Sequence, residues 1–414
     1  MLHDLECNAH SVLTAQPHDR DRSDADGWCR QMSSGDTATE TEVHTDRTEV
    51  QSDGTDVQSD GTDVQSDGTN VHTDGTEPSR TVSEADRTAT DVPDIPRAGV
   101  IGVGVMGENH ARVYSESRGV TLAGVSDIDD ELARTVADEY GTVALDRERL
   151  LERCDVVSVA VPTVHHYEAV LACIDAGVHV LVEKPITLDP DRARELTARA
   201  ADAGVVLQVG HVERFNPAVR TAASLIEDLD VIAVEAKRLG PPVDRTGLDP
   251  VTLDLMIHDV DVVQSLLGAE PTDVAATGTA DGSHATAILA FDDVLATITA
   301  SRVSQRKVRT LTVTATDCLL EIDYLDQSVL LYRDSFPEYV SDDRGSHFRH
   351  ESVIERPEVK NREPLRAEIE SFVDAVRTDS TPLVTGGDGL SALETVTTID
   401  ERVTGGMDVE VIER

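Results

Sequence analysis

From Pro96 onward the chain alternates short apolar strands with helical stretches, and this alternation restricts the possible folds more than any other feature of the sequence. Strands that alternate with helices pair in parallel, and the helices cover both faces of the sheet. The sequence therefore predicts an α/β region with a doubly wound parallel sheet. The predicted strands occupy residues 97–103, 121–126, 155–162, 178–182 and 205–210, with helices over about 108–117 and 165–176.

The rest of this region is richer in strands. Short apolar segments are separated by turn residues, as in the successive strands of a sheet. We therefore expect a first domain over 97–213 and a second over 214–414. In the second domain, strands are predicted over 232–238, 274–279, 284–291, 294–301, 308–314, 318–323 and 328–332, and helices over about 250–267, 364–377 and 389–403.

The first 96 residues differ in composition, because Asp, Thr, Ser, Gln and Gly dominate and large apolar residues are rare. Such a segment cannot bury a core. A seven-residue unit recurs from Thr41 to Gly75, but each copy has one valine and the later copies end in Asp-Gly, which excludes a coiled coil. We expect a disordered, acidic linker over 1–96. Two alternatives are a metal site that uses His44, His72 and the aspartates, and a natural start of translation downstream of the repeat.

Acidic residues dominate the charge of the chain. Asp and Glu number 79 and Lys and Arg 36, so the formal net charge at pH 7 is -43. Such a surface repels phosphate backbones, so we expect no nucleic-acid partner. Only four of the basic residues are lysines. An acidic, lysine-poor surface is similar to that of proteins from salt-loving organisms, where cytoplasmic salt screens the self-repulsion.

Neither a metal site nor a membrane segment is expected. The five cysteines have no metal-ligand spacing, and the sequence lacks Cys-x-x-Cys and His-Glu-x-x-His motifs. The longest apolar runs, such as 156–162 and 178–182, are far shorter than the roughly 20 residues that cross a bilayer. Residues 1–16 lack the basic start and the apolar stretch of a secretory signal, so we expect a cytoplasmic protein.

A glycine-rich turn follows the first predicted strand and opens a helix. Its glycines permit a tight turn, close approach of the backbone to a diphosphate, and close packing of helix on strand. The second strand ends at Asp127, where a carboxylate accepts hydrogen bonds from the adenosine ribose and repels a 2'-phosphate. The sequence therefore predicts NAD, with a flavin, another nucleotide or a decayed site as alternatives. The turn residues expected to bind it are Gly102, Gly104, Val105, Met106 and Gly107.

Lys184 follows the strand 178–182 in the triplet Glu183-Lys184-Pro185. The proline biases Lys184 towards an extended conformation at the carboxyl end of a strand, the edge where open α/β sheets bind ligands. We expect Glu183 to be its ion partner. The alternative is an exposed ion pair in a turn.

Asp254 and His258 lie four residues apart on a predicted helix, so their side chains share one face. Histidine titrates near neutral pH, which suits it to take a proton from an alcohol while hydride leaves the same carbon. We assign His258 as the proton acceptor, Asp254 as its orienting or substrate-binding partner, and Lys184 as a stabiliser of the developing alkoxide. Lys184 as the base, and a simple surface ion pair between Asp254 and His258, remain alternatives.

Two further polar clusters are candidates for substrate binding. The first follows the strand 205–210 and either lines a substrate pocket or forms a capped, solvated turn: His211, Glu213, Arg214 and Asn216. The second is basic and either clamps a diphosphate or forms exposed salt bridges: Arg302, Arg306, Lys307 and Arg309. Arg214 and Arg238 are alternatives for the diphosphate.

Together these motifs resemble the glucose-fructose oxidoreductase, inositol dehydrogenase and rhizopine catabolism family (Gfo/Idh/MocA). The resemblance runs from Ala98 to about the C-terminus. Residues 209–217 and 257–261 further resemble the branch that contains UDP-N-acetylglucosamine 3-dehydrogenases. The motifs that carry the resemblance are Gly102 to Gly107 with Asn109-His110, Glu183-Lys184-Pro185, and Asp254-x-x-x-His258.

The resemblance implies a Rossmann domain followed by an α+β domain with a large, open, mostly antiparallel sheet, whose outer face commonly mediates contacts in a homo-oligomer. It also implies that Glu183 and Lys184 contact NAD, and that Pro162 and Thr163 lie near the nicotinamide ribose. His165 would face either the cofactor or the substrate.

The activity implied is NAD-dependent oxidation of a sugar ring hydroxyl, with the 3-hydroxyl of UDP-N-acetylglucosamine as the specific expectation. The 3-keto product would feed an aminotransferase of the same pathway. One rival is a dehydrogenase of a free polyol or monosaccharide, such as inositol or glucose. Another is a non-catalytic NAD-sensing regulator, which would not need Lys184, Asp254 and His258 together.

Overall fold

The computed structural model describes residues 95–242, 249–334, 338–342, 345–349 and 351–405. The predicted linker and its heptad repeat therefore lie outside the described residues, apart from the last two positions. Within the described part of the chain, two sheets carry most of the architecture. They confirm the expected order of a parallel sheet followed by a mostly antiparallel one.

The first sheet is parallel throughout, with the strand order β2-β1-β3-β4-β5. Its central strands are buried on both faces, which explains why they are continuous apolar runs in the sequence. The strands are β1 (Arg97–Ile101), β2 (Thr121–Ser126), β3 (Val156–Val159), β4 (His179–Glu183) and β5 (Leu207–Gly210).

Five helices connect these strands or follow them. Several begin at side-chain caps that the sequence supplies: Asp129, Asp146 and Asp189 each accept a backbone hydrogen bond at a helix start. The helices are α1 (Val105–Glu116), α2 (Asp130–Glu139), α3 (Arg147–Arg153), α4 (His166–Asp175) and α5 (Pro190–Ala203).

The second sheet has the order β15-β12-β11-β10-β6-β9-β8-β7, and it is antiparallel except where β6 pairs with β9. Alternate residues of its strands are buried, so one face packs on the core and the other is open. Its strands are β6 (Val231–Leu239), β7 (Asp273–Gly278), β8 (His284–Phe291), β9 (Val294–Ser301), β10 (Val308–Ala315), β11 (Cys318–Asp323), β12 (Ser328–Asp334) and β15 (Ser352–Glu355), and a separate hairpin contains β13 (Glu338–Asp342) and β14 (Gly345–Arg349).

The remaining helices join the two sheets: α6 (Pro217–Ile226), α7 (Ile257–Leu267), α8 (Pro364–Thr378) and α9 (Gly386–Thr404). Although α8 follows the second sheet in sequence, it packs back on the first. Its buried Ile369 and Phe372 share a core with Val100 of β1 and Leu181 of β4. A helix from the end of the chain therefore covers part of the first sheet.

Candidate active site

The glycine-rich turn after β1 is closed by contacts that exclude larger residues. Gly102 has a φ of 85°, and a Cβ there would lie 2.7 Å from the backbone nitrogen of Val161. A Cβ on Gly107 would lie 1.8 Å from the carbonyl oxygen of Gly102. These two glycines therefore fix the close approach of α1 to β1 and β3.

Gly104 is different, because a Cβ there would meet no protein atom within 4 Å. It precedes α1 and supplies no side-chain cap, and Val105 and Met106 in the first turn are exposed. The first amides of α1 are thus accessible at a helix start, an arrangement that fits a diphosphate. The open space above Gly104 is consistent with a bound dinucleotide rather than with protein packing.

Asp127 is fixed by the backbone around it. One carboxylate oxygen accepts a hydrogen bond of 2.7 Å from the amide of Val103, and the other accepts one of 2.9 Å from the amide of Asp129. The side chain borders a cavity of about 630 Å³ that also touches Gly102. These residues fit the adenosine ribose of NAD, since the carboxylate keeps lone pairs for the ribose hydroxyls.

The turn after β3 places Pro162, Thr163 and His165 at the same sheet edge, in a 3₁₀ turn (Thr163–His165) that is largely exposed. The neighbouring His166 is buried, and its ring nitrogens lie 2.8 Å from the Pro185 oxygen and 2.9 Å from the Val161 oxygen. His166 thus ties this turn to the turn that carries Lys184. Its buried, bridging role was not evident in the sequence, where it stands beside another histidine.

Lys184 lies at the carboxyl end of β4, as predicted. Its ammonium donates a hydrogen bond of 2.7 Å to the backbone oxygen of Asp254 and one of 3.0 Å to the carboxylate. The side chain is 15% exposed, against 39% for Asp254. Lys184 is therefore anchored to the second half of the described structure. We call the partly exposed surface around Lys184, Asp254 and His258 the cleft.

The expected ion pair between Glu183 and Lys184 does not form. Glu183 instead lies 3.0 Å from the Nε2 atom of His110, whose Nδ1 atom lies 2.9 Å from the hydroxyl of Ser158. The Ser158 hydroxyl is 2.8 Å from that of Tyr114. Successive strand residues point to opposite faces, so Glu183 turns towards α1 while Lys184 turns towards the cleft. Burial opposes ionisation, but His110 and Lys184 lower the pKa of Glu183.

Asp254 lies in a π-helical turn (Thr252–Met256) directly before α7, a feature common at functional sites. Its second carboxylate oxygen accepts a hydrogen bond from Arg302, the residue that directly follows β9. Burial alone would raise the pKa of Asp254, but the charges of Lys184 and Arg302 outweigh it and lower the pKa. The carboxylate therefore stays ionised and holds both cations in place.

His258 begins the first turn of α7 and is partly buried. Its Nδ1 atom is buried and makes no hydrogen bond among the described residues. Burial and then the charges of Lys184 and Arg238 lower its pKa well below the ordinary value. The ring is therefore neutral at neutral pH, and a neutral imidazole carries one nitrogen that can accept a proton.

The cluster after β5 divides into two parts. Glu213 accepts a hydrogen bond of 2.9 Å from Arg238, and Asn216 caps α6 while its amide donates to Glu213 and to the Tyr324 oxygen. His211 is buried, and Arg214 contacts Asp261 of α7. Glu213 and Asn216 thus make contacts within the protein beneath the cleft.

A buried ion pair supports the cleft from below. Arg238 of β6 donates hydrogen bonds of 2.8 and 3.0 Å to the two carboxylate oxygens of Asp259, the neighbour of His258 on α7. Both side chains are at most 2% exposed. This pair fixes α7 to the second sheet, and no spacing rule links the two residues in the sequence.

The basic cluster of the second domain divides in the same way. Arg302 binds Asp254, and Arg309 is one-third exposed with its guanidinium 3.6 Å from Glu213. Arg306 and Lys307 are exposed in the intervening loop. Within this cluster, Arg302 therefore contacts Asp254, and Arg309 lies near Glu213, the partner of Arg238.

Within the described ranges, no three His, Cys, Asp or Glu side chains are arranged to hold a metal ion. In the same ranges, no helix has the length and apolar character needed to span a membrane.

Two family models match the chain. Residues 96–211 match the oxidoreductase family with an NAD-binding Rossmann fold, and residues 244–321 match the GFO/IDH/MocA C-terminal domain. These matches cover the glycine-rich turn, Lys184, Asp254 and His258. NAD is therefore the cofactor of this protein.

Named relatives agree with the models. The UDP-N-acetylglucosamine 3-dehydrogenase of Acidithiobacillus ferrooxidans is 35% identical over 293 residues, which cover 68% of this chain and 88% of the relative. A solved structure of that protein gives a TM-score of 0.68 at 32% identity and covers 75% of this chain and 98% of its own. The inositol 2-dehydrogenase of Rhizobium meliloti is 27% identical over 72% of this chain and 93% of the relative. The chain therefore belongs to the Gfo/Idh/MocA family of oxidoreductases, whose dehydrogenases act on sugar hydroxyls.

Proposed function

We propose that this protein uses NAD to oxidise the 3-hydroxyl of UDP-N-acetylglucosamine to the 3-keto nucleotide sugar. The observation that carries the proposal is the contact of Lys184 with Asp254 beside the neutral ring of His258. This contact brings a hydrogen-bond donor and a proton acceptor together at the sheet edge that binds NAD.

NAD supplies the acceptor for the hydride that leaves the sugar carbon. In our proposal the turn at Gly102, Gly104 and Gly107 holds its diphosphate, and Asp127 holds its adenosine ribose. Pro162, Thr163 and His165 line the nicotinamide end, where Lys184 also lies. Each of these groups is at the carboxyl edge of the first sheet.

His258 takes the proton of the substrate hydroxyl in this mechanism. Lys184 donates two of its three ammonium hydrogens to Asp254, which leaves one for the oxygen that becomes the carbonyl. Asp254 positions Lys184, and Arg302 holds Asp254 from the opposite side. Lys184 as the base is the alternative, and the pH dependence of kcat separates the two.

The diphosphate of the substrate requires positive charge in the cleft. Arg309 is the candidate we favour, because it is one-third exposed and its contact with Glu213, at 3.6 Å, leaves its guanidinium largely free. The 35% identity to a protein named UDP-N-acetylglucosamine 3-dehydrogenase supports the same substrate. His211 and Arg214 are less exposed than Arg309, so we place them behind the sugar pocket rather than on the diphosphate.

A free polyol is the second candidate substrate, because inositol 2-dehydrogenases are also among the relatives. To compare the candidates, the protein would be mixed in high salt with NAD and one of four substrates, and the absorbance of NADH would be followed. The substrates are UDP-N-acetylglucosamine, N-acetylglucosamine, glucose and inositol. A signal with the UDP sugar alone is expected, and UDP alone should raise the Tm. A signal with a free sugar alone would overturn the nucleotide sugar as substrate, but it would leave the proposed roles of Lys184, Asp254 and His258 unchanged.

A non-catalytic NAD-sensing regulator is the rival of another class. Full biological activity of a Lys184→Ala protein would favour it.

We further propose that the open face of the second sheet mediates a homo-oligomer, since apolar Ile288 and Leu295 are exposed on it. An aminotransferase would consume the 3-keto product in the cytoplasm.

A further inference from the structure

A second cavity, of about 580 Å³, lies between α7 and the start of α9. Its lining includes Arg214, Asp261, Gln264 and Asp388, all polar and drawn from three separate elements. None of these side chains has a role in the hydride step proposed above. The cavity is nevertheless connected to the active site by two buried residues.

Asp261 is the first of these residues. It is 2% exposed, and one carboxylate oxygen accepts a hydrogen bond of 3.3 Å from Arg214. The other oxygen makes no hydrogen bond among the described residues and lies 3.9 Å from the Nδ1 atom of His211. Asp259, two positions earlier on the same helix, has both oxygens bonded to Arg238. Asp261 is thus a buried carboxyl with one oxygen that makes no hydrogen bond among the described residues and lies near a histidine ring.

His211 is the second residue. It is 1% exposed, and neither ring nitrogen makes a hydrogen bond within the described part of the chain. His211 follows β5, next to the end of β4 that carries Lys184. It also interacts electrostatically with His258. His211 therefore acts electrostatically on the proposed base, and its Nδ1 atom lies 3.9 Å from Asp261.

Charged groups from several elements act on this pair. Around His211, burial and the charges of Arg214 and Lys184 lower its pKa to about 3, against the opposing effects of Glu183 and Asp388. His211 is therefore neutral at neutral pH.

Around Asp261, burial raises the pKa to about 7, with Asp388 adding to the shift and Arg214 opposing it. Asp261 also acts on the buried carboxyl of Glu368 in α8. Asp261 can therefore take up and release a proton close to neutral pH.

We infer that His211 and Asp261 carry the substrate proton from His258 to water in the second cavity. This inference rests on the proposed dehydrogenase function. The carbon loses a hydride to NAD, and the hydroxyl proton moves to His258. One ring nitrogen of His211 takes that proton as the other passes its own proton to Asp261, so no imidazolium accumulates. Asp261 then releases a proton to water, and His258 is neutral again.

Asp261→Asn keeps the shape of the side chain but cannot pass on the proton, and His211→Asn removes the ring. For each variant we expect turnover to fall about 10²-fold, because proton transfer becomes rate-limiting. The solvent deuterium isotope effect should rise and the isotope effect of a deuterated substrate carbon should fall towards unity. Added imidazole should restore the rate of each variant and leave the unmodified protein unaffected.

Gln264→Met is the matched control, because Gln264 lines the same cavity and its side-chain amide donates hydrogen bonds to Ser391 and Thr395. Its turnover should not depend on imidazole. Unchanged turnover of Asp261→Asn, or a loss that imidazole does not reverse in a folded protein, would overturn the relay.

An infrared pH titration tests the relay without turnover. A protonated carboxyl band that titrates near neutral pH and is missing from Asp261→Asn is expected. A carboxylate that stays ionised throughout would overturn the relay even if no sugar alcohol proved to be a substrate. Absence of turnover in the unmodified protein, with the expected titration present, would instead count against the proposed function alone.

Discussion

The cofactor edge and the substrate cleft of this protein are built in different ways. The cofactor edge uses backbone: Gly102 and Gly107 allow close packing, Gly104 leaves space, and the first turn of α1 offers its amides. The cleft uses charged side chains, such as Lys184 and Asp254, brought together from elements 70 residues apart. In our proposal, binding of NAD thus depends on local chain geometry, whereas catalysis depends on the docking of the two sheets.

Among the variants of the cleft, removal of the proposed base should cause the largest fall in kcat. His258→Asn is expected to lower kcat by about 10²–10⁴-fold with little change in NAD binding or Tm, because a general base contributes about that much. Steady-state kinetics and NAD titration would measure both. An unchanged kcat would exclude His258 as the proton acceptor.

The pH profile separates His258 from Lys184. Burial and the charge of Lys184 lower the pKa of His258, so the acid limb of kcat should lie below the ordinary histidine range. Lys184→Met removes a positive charge, which should raise the pKa of His258 and move the residual acid limb to higher pH. An acid limb that disappears in Lys184→Met would make Lys184 the base.

At the cofactor edge, a pair of glycine variants distinguishes ligand space from protein packing. Gly107→Ala should destabilise the fold by about 1–3 kcal/mol or more, because its Cβ would overlap the Gly102 oxygen. Gly104→Ala has no protein neighbour to meet and a φ of -62°, so its Tm should hold while NAD binds at least about tenfold more weakly. Unchanged NAD affinity of Gly104→Ala would place the diphosphate elsewhere.

The proposed diphosphate contact should give a smaller effect. Arg309→Met is expected to raise KM for the UDP sugar about tenfold, as for the loss of a hydrogen bond to a charged group. Arg333→Met, exposed on β12 of the same sheet, is the matched control and should behave like the unmodified protein. Equal KM values for the two variants would remove Arg309 from the substrate site.

The smallest effect should be on the stability of the fold, and it concerns helix α8, which packs on the first sheet. Glu368 of α8 is fully buried, and burial together with Glu183 and Asp261 raises its pKa well above 4.5. The contribution of the neutral Glu368 carboxyl to stability is fully present below the pKa that this group has in the unfolded protein. That contribution is lost as pH rises through the higher pKa that the group has in the folded protein. Glu368→Gln should therefore gain Tm relative to the unmodified protein as pH rises, whereas exposed Asp374→Asn should not.

The sequence predicted most of the fold because its signals are local. The strands predicted over 121–126, 284–291, 294–301 and 318–323 match the structure residue for residue. Turn residues mark where each of these apolar segments begins and ends. The helix predicted over 250–267 is a π-helical turn followed by α7, and periodicity alone does not distinguish the two. The return of α8 to the first sheet has no local signal at all.

The site was only partly predictable, because the sequence carries signals for local motifs but not for contacts between distant residues. The glycine-rich turn, Asp127 and the Lys184 triplet are contiguous motifs, whereas the partners of Lys184, Glu183 and Arg238 depend on tertiary packing. The sequence placed Glu183 with Lys184 because they are neighbours. The structure pairs Glu183 with His110, 73 residues away.

The most direct test of the central claim follows a single hydrogen atom. UDP-N-acetylglucosamine with deuterium at C3 would be mixed with the purified protein and NAD, and the reduced cofactor analysed by mass spectrometry. The account predicts that the deuterium appears on the nicotinamide, and that His258→Asn slows its transfer without redirecting it. Reduced cofactor without deuterium, or none with this sugar while a free polyol reacts, would contradict the account.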